Sequence, residues 1–188
     1  MNQRILILVD EANFTGTAYG YGVRPDLLGL RDYLSDPKAG RHLMEMVVYI
    51  GVPPAMREDD MPVEWRDKRD GKIRLSDMLR YNGVMTVLHQ GKGNPSEPRT
   101  LRANCDVLMA MDAVELALEM KPDTVVLVTG DSDFHYLAGK LRRRGIYVEA
   151  ASLDGNIAAE LKKSVNAFID LGEFFDEFCE PVEDSYED

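Results

Sequence analysis

The segment Thr124-Val-Val-Leu-Val-Thr-Gly-Asp-Ser-Asp-Phe134 decides how this chain is read. Its apolar run is short, rich in Val and stops at Thr129-Gly130, the pattern of a strand buried on both faces of a parallel α/β sheet. Ligands of such sheets collect beyond the carboxyl ends of the strands, which is where Asp131 and Asp133 would stand. The amino terminus repeats the arrangement, because Ile5-Leu-Ile-Leu-Val9 ends in Asp10 and Asn13 follows within one helical turn. Two such strands delivering carboxylates at one sheet edge would form a shared acidic pocket. That pocket suits a hard divalent cation, Mg²⁺ or Mn²⁺, which takes oxygen ligands and leaves part of its shell to water and phosphate. Any one of these aspartates alone would be read as a turn or helix cap. The set together favours a metal.

A third acid lies between the two strands. Asn104-Cys-Asp-Val-Leu-Met-Ala-Met-Asp-Ala-Val-Glu-Leu-Ala-Leu-Glu-Met120 is dense in helix formers, and Pro122 ends it. Val107, Leu108, Met111, Val114 and Leu118 recur at helical spacing and read as its core face. Asp106 opens the helix, where it can cap the first turn, project toward the strand ends, or do both. Asp112 falls about 240° further around the helix and reads as a supporting residue that must be paired or solvated.

The ordered set Leu8-Val-Asp-Glu-Ala-Asn13, Cys105-Asp-Val-Leu-Met-Ala-Met-Asp-Ala113 and Val128-Thr-Gly-Asp-Ser-Asp-Phe134, followed by Leu141-Arg-Arg-Arg-Gly145, resembles the NYN domain of the PIN-like nuclease superfamily, with the LabA-like branch the nearest in pattern. The likeness runs to about Leu171. It implies that Asp10, Asp106, Asp131 and Asp133 correspond to the metal-binding acids and Asn13 to the polar residue beside them. One departure stands out: many members carry Lys-Gly just ahead of the second motif, whereas Ala103-Asn104-Cys105 precede Asp106 here and the nearest base is Arg102.

The rest of the chain reads as strands near 4–10, 44–51, 84–88, 123–129 and 146–151, with room for a short edge strand at 167–170. Helices fall near 25–35, 64–81, 104–120, 133–144 and 156–165. This alternation predicts a three-layer α/β/α sandwich around a mainly parallel five-stranded sheet. The resemblance implies strand order 3-2-1-4-5, which makes the strands bearing Asp10 and Asp131 neighbours. Residues 1–171 are expected to form the domain, and 172–188 a short helix through Phe174, Phe175 and Phe178 with an acidic, solvated end. The segment from Glu173 to Asp188 holds eight acids and no Lys or Arg, so removing them from the formal −11 leaves −3 for the remainder. That residue of charge is compatible with a polyanionic substrate, since the ligand acids account for several of the negatives. Two cysteines, Cys105 and Cys179, suggest neither a disulfide framework nor a zinc site. The first apolar run is too short for a membrane span or a signal peptide, so the expected compartment is the cytoplasm.

Several segments compete for the substrate path. His89 to Asn104 carries Lys92, Arg99 and Arg102 among glycines and prolines and reads as a mobile basic loop that could grip phosphates. Thr15-Gly-Thr-Ala-Tyr-Gly-Tyr-Gly22 reads as a flexible segment whose tyrosines could stack on unpaired bases. Trp65 could stack too, although a lone Trp is more often packing. Arg142, Arg143 and Arg144 complement a helix carboxyl terminus and are not assigned to the pocket. The leading expectation is a metal-dependent ribonuclease acting on single-stranded or unpaired RNA. In it Asp10, Asn13, Asp106, Asp131 and Asp133 form the catalytic set, Lys92, Arg99 and Arg102 bind substrate, and the resemblance implies 5′-phosphate and 3′-hydroxyl products. It also admits a homodimer. Two rivals stay open: a non-catalytic nucleic-acid-binding or regulatory module on the same fold, and a phosphatase-like hydrolase using Asp131-Ser-Asp133.

Overall fold

A computed structural model describes residues 3–182. The acidic end from 183 to 188, on which part of the solvated-tail expectation falls, lies outside the described residues. Among the described residues eight strands and seven helices follow one another. They are β1 (Gln3–Asp10), α1 (Glu11–Tyr21), α2 (Leu27–Leu34), β2 (Arg41–Val52), α3 (Val63–Tyr81), β3 (Met85–Gln90), β4 (Lys92–Asn94), β5 (Glu97–Arg102), α4 (Asp106–Met120), β6 (Thr124–Val128), α5 (His135–Arg142), β7 (Tyr147–Ser152), α6 (Ala159–Ser164), β8 (Ala167–Asp170) and α7 (Gly172–Phe178).

The central sheet has six parallel strands in the order β3-β2-β1-β6-β7-β8. The five-stranded expectation is therefore corrected. Residues 167–170 pair with β7 as a full member of the sheet, through Glu149↔Ala167 to Ser152↔Asp170. Strand β1 sits at the centre with every residue from Ile5 to Val9 buried, because helices cover both faces. Period-two alternation divides the core accordingly. Ile5, Ile7 and Val9 pack with Phe14, Leu30, Leu79 and Phe174 on one face; Leu6 and Leu8 pack with Met109, Ala113, Leu137 and Leu141 on the other.

Two segments depart from the sequence reading. Residues 11–21 are a helix, not a flexible segment. Asp10 caps it by accepting from the Asn13 amide at 3.2 Å, and Gly22 ends it at φ +97°. Burial of Phe14, Thr17 and Ala18 outweighs the poor helix propensity of Gly16 and Gly20. The supposed mobile loop is partly regular, since β4 and β5 form an antiparallel hairpin between residues 92 and 102. Trp65 holds it: the indole is buried and its Nε1–H donates to the Pro98 carbonyl at 2.8 Å. Packing is the reading of Trp65 that survives. Gly51 lets the returning chain close over the end of β2, because a Cβ there would lie 2.2 Å from the Ala103 carbonyl oxygen.

The phase of α4 is also corrected. Its sheet-facing side is Met109, Ala113 and Ala117, following Cys105, whereas Val107, Met111 and Leu118 are 71%, 65% and 47% exposed. Leu108 and Val114 are partly buried at the margin. The helix carries two apolar faces, and the one with small alanines allows the closer approach to the sheet. At the carboxyl terminus, α7 completes the opposite core layer with Phe174 and Phe175 fully buried.

Candidate metal centre and its surroundings

Strand order reverses between β1 and β6, so the crevice between their carboxyl ends is the position where open α/β sheets bind ligands. Asp10 ends β1 there, and Asp131 follows β6 across Thr129 and Gly130. The link between the two strand ends is specific. The Gly130 amide donates to Asn13 Oδ1 at 2.9 Å, and the Thr129 hydroxyl reaches Asp10 Oδ2 at 3.5 Å. Only glycine fits at 130, where a Cβ would stand 2.6 Å from the Asn156 carbonyl oxygen. Asn13 thus ties the two acidic loops together with its side-chain oxygen, a positioning contact.

Asp106, Asp131 and Asp133 each bring a carboxylate oxygen within 4.8 Å of the others. Oxygens bound to one hard cation at 2.0–2.6 Å can lie no farther apart than about 4–5 Å, so this donor set fits a divalent ion. Its geometry is fixed locally. Asp131 caps the short 3₁₀ turn at Ser132–Phe134 by accepting from the Asp133 amide at 2.9 Å. Asp106 is held by Asn104 through two 2.7 Å hydrogen bonds, one from the Asn104 side-chain amide to Asp106 Oδ2 and one from the Asp106 amide to Asn104 Oδ1. Asn104, two residues ahead of Asp106, is therefore the residue that orients the carboxylate.

Asp10 lies behind this triad, lining the same cavity of about 400 Å³ as Asp106 and Asp131. Burial, and to a smaller extent the charges of Asp106 and Asp131, raise its carboxyl to about 6, against a hydrogen bond from the Asn13 amide that acts the other way. Burial likewise raises Asp106, with Asp131 and Asp133 adding to it against the Asn104 contact. Among the described residues, none of these four aspartates has a salt-bridge partner. Burial and the adjacent acids push the Cys105 thiol up to about 11, which disfavours its thiolate.

The cations at the cavity differ from those expected. Arg102 lines it, but Lys92 and Arg99, on β4 and β5, do not. Lys68 and Lys72 do, one turn apart on α3. Lys72 reaches both carboxylate oxygens of Glu11, at 2.6 and 2.5 Å, and Glu11 is only 1% exposed. Thr15 donates to the same carboxylate at 2.7 Å. These residues were missed because α3 meets α1 only in three dimensions; the one sequence signal was the basic spacing Lys68-x-x-x-Lys72. Asp112 plays the supporting part expected of it, accepting from the Tyr49 hydroxyl at 3.1 Å. Of the two tyrosines on α1, Tyr21 is engaged with α7, donating to Asp176 at 2.7 Å and packing on Phe175 at 5.3 Å. His135 Nδ1 donates to the Ser132 carbonyl, 2.8 Å away, outside the triad.

Known proteins place this arrangement. The NYN domain family model matches residues 4–172. Over 112 residues, 60% of the chain, the sequence is 29% identical to the low amplitude and bright protein LabA of Synechococcus elongatus, covering 58% of that protein. It is 30% identical over 112 residues to the uncharacterized protein MJ0482 of Methanocaldococcus jannaschii, covering 45% of it. The matches thus span about half the length of these curated relatives. A solved protein of unknown function from Vibrio parahaemolyticus, VPA0982, shares the fold with a TM-score of 0.67 at 20% identity, over 90% of this chain and 93% of that one. No helix among the described residues is long and apolar enough to cross a membrane. With its acids gathered at the switch point of a matching fold, the chain belongs to the NYN domain family of the PIN-like nuclease superfamily.

Proposed function

We propose that this protein is a Mg²⁺- or Mn²⁺-dependent ribonuclease that hydrolyses phosphodiester bonds in single-stranded or unpaired RNA. The observation that carries this reading is the convergence of Asp106, Asp131 and Asp133 from two chain segments, with no salt-bridge partner among the described residues, beside a cavity rimmed by Lys68, Lys72 and Arg102. A divalent ion held there would lower the pKa of an attacking water and offset charge on the phosphate and leaving oxygen. Asp106, Asp131 and Asp133 supply the oxygens for it, and Asp10 extends the set from β1. Asn13 and Asn104 do not react; they fix the Gly130 turn and the Asp106 carboxylate, so the acids are already oriented. Lys68 and Arg102 bind phosphate oxygens at the cavity mouth. Lys72 pairs with Glu11 and offsets part of the negative charge that this buried acid adds beside Asp10. The expected products carry 5′-phosphate and 3′-hydroxyl ends, and the site of action is the cytoplasm.

The test is incubation of labelled single-stranded RNA, duplex RNA and single-stranded DNA with the protein in Mn²⁺, Mg²⁺ or EDTA, alongside Asp131→Asn. Cleavage of single-stranded RNA that needs the metal and Asp131 supports the assignment. Tight RNA binding with no cleavage under any metal would make the chain a non-catalytic binding module, to which Asn104 in the second motif lends some weight.

A further inference from the structure

The apolar face of α4 that turned out not to be core lines a groove of about 630 Å³ against α5. Val107, Met111 and Leu118 form its wall on α4, and Tyr136 and Lys140 stand on α5. Such a volume, bounded mainly by apolar side chains with few polar groups, is that of a small-ligand or base-sized site.

Three observations identify one. The groove is continuous with the acidic triad: Asp133 belongs to both, and Val107 is the residue after Asp106. Whatever lies in it is therefore adjacent to a phosphate at the triad. Tyr136 is 62% exposed and its ring is braced by the Arg143 guanidinium 5.6 Å from the centroid, so a flat aromatic surface is presented in a defined position. Lys140 lies one helical turn beyond Tyr136 on the same side of α5, which pairs a stacking surface with a cation at about the spacing of neighbouring groups along a helix face. An aromatic ring, an apolar floor and one cation beside a phosphodiester site match an unpaired nucleobase and its flanking phosphate. They match a bare phosphate poorly, since Asp133 and Glu115 also line the groove.

We propose that the α4/α5 groove is a base-binding subsite, in which a nucleobase next to the scissile phosphate stacks on Tyr136 against Val107 and Met111 while Lys140 contacts the following phosphate. This rests on the ribonuclease reading and deepens it. It gives a physical basis for preferring single strands, because a paired base cannot leave its stack without an energetic penalty. It predicts little discrimination among bases, since every base has a face to stack.

The test measures affinity for a labelled oligouridylate and for an abasic strand of equal length, in EDTA so that no strand is cut, and cleavage of the oligouridylate in Mn²⁺. Tyr136→Leu and Met111→Ser replace exposed side chains and leave the core intact. Tyr136→Leu is expected to weaken oligouridylate binding roughly tenfold while changing abasic-strand binding by less than about twofold. Equal loss on both strands, or loss on neither, overturns the subsite. If wild-type protein neither cleaves nor binds any strand, the ribonuclease reading falls and the subsite with it; if wild type cleaves and Tyr136→Leu behaves identically, only the subsite falls. Sedimentation of wild type as a dimer that Met111→Glu dissociates, with oligouridylate affinity unchanged, would instead make the groove a contact between copies and overturn the proposal.

Discussion

The two ends of the central sheet handle charge in opposite ways. At the amino-terminal end the buried acid is matched: Glu149 on β7 meets Arg41 on β2 at 2.6 and 3.2 Å, and Arg41 also donates to the Leu34 carbonyl at 2.6 Å. Arg4 and Asp123 pair nearby at the surface. At the carboxyl-terminal end Glu11 is matched by Lys72, but Asp10, Asp106, Asp131 and Asp133 have no such partner among the described residues. Charge left unpaired in a partly buried crevice destabilises the folded state, and folding stability alone would not keep it there. The contrast separates acids whose charge is matched within the sheet from acids left available to a ligand.

The largest effect should come from the unpaired end. Asp131→Asn, isosteric and still able to cap the 3₁₀ turn, should lower metal-dependent RNA cleavage by more than about 100-fold with little change in the melting temperature of the metal-free protein. Cleavage within severalfold of wild type would show that this acid is not at the reacting centre.

The matched end should behave in reverse. Glu149→Ala leaves Arg41 buried without its partner and should destabilise by about 3–5 kcal/mol in urea denaturation, with activity per folded molecule preserved. Lys72→Met, which strands Glu11, should reduce stability comparably and reduce activity as well. If the two variants lose activity equally, the division between the ends of the sheet fails.

Asp10 sharpens the comparison through pH. Its carboxyl sits at about 6 in the folded protein against an ordinary 3.8, so between these values the folded state holds a proton that the unfolded chain has released. The group therefore opposes folding increasingly above about pH 4 and in full above about pH 6, and that penalty is relieved as pH falls from about 6 toward 4. Asp10→Asn should stabilise the metal-free protein by about 1–2 kcal/mol at pH 7.5, after allowing for partial solvation, and should lose most of the Mn²⁺-induced rise in melting temperature. A metal-free Asp10→Asn protein less stable than wild type at pH 7.5 would contradict this account.

The smallest effects belong to the rim. Lys68→Ala and Arg102→Ala should each lower the salt dependence of single-strand binding by roughly one released counterion, a slope change of about 0.7, while Lys92→Ala and Arg99→Ala should do less because they do not line the cavity. Equal changes for all four would mean that the strand runs along the hairpin as well.

The buried strands and the acids at their ends were legible in the sequence because both signals are local. An unbroken apolar run followed by Asp needs no tertiary knowledge to be read, and the three motifs in order identified the family over residues that the NYN model also covers. Where the reading failed, the deciding interaction came from elsewhere in the chain. Gly16 and Gly20 argue against a helix, and only packing of Phe14 and Ala18 into the β1 core makes α1 one. The α4 pattern offered two apolar faces, and periodicity cannot say which meets the sheet. Lys68 and Lys72 enter the site across a sequence distance that no spacing rule spans.

By itself, then, the sequence determined the buried parallel strands and the acids that follow them, because side-chain burial and strand termination are encoded residue by residue, while the central position of β1 was implied only by the family resemblance. Only the tertiary structure decided which acids converge within 4.8 Å, which cations face them and which helix face remains open, because these depend on how separate elements dock and how closely alanine lets a helix approach a sheet.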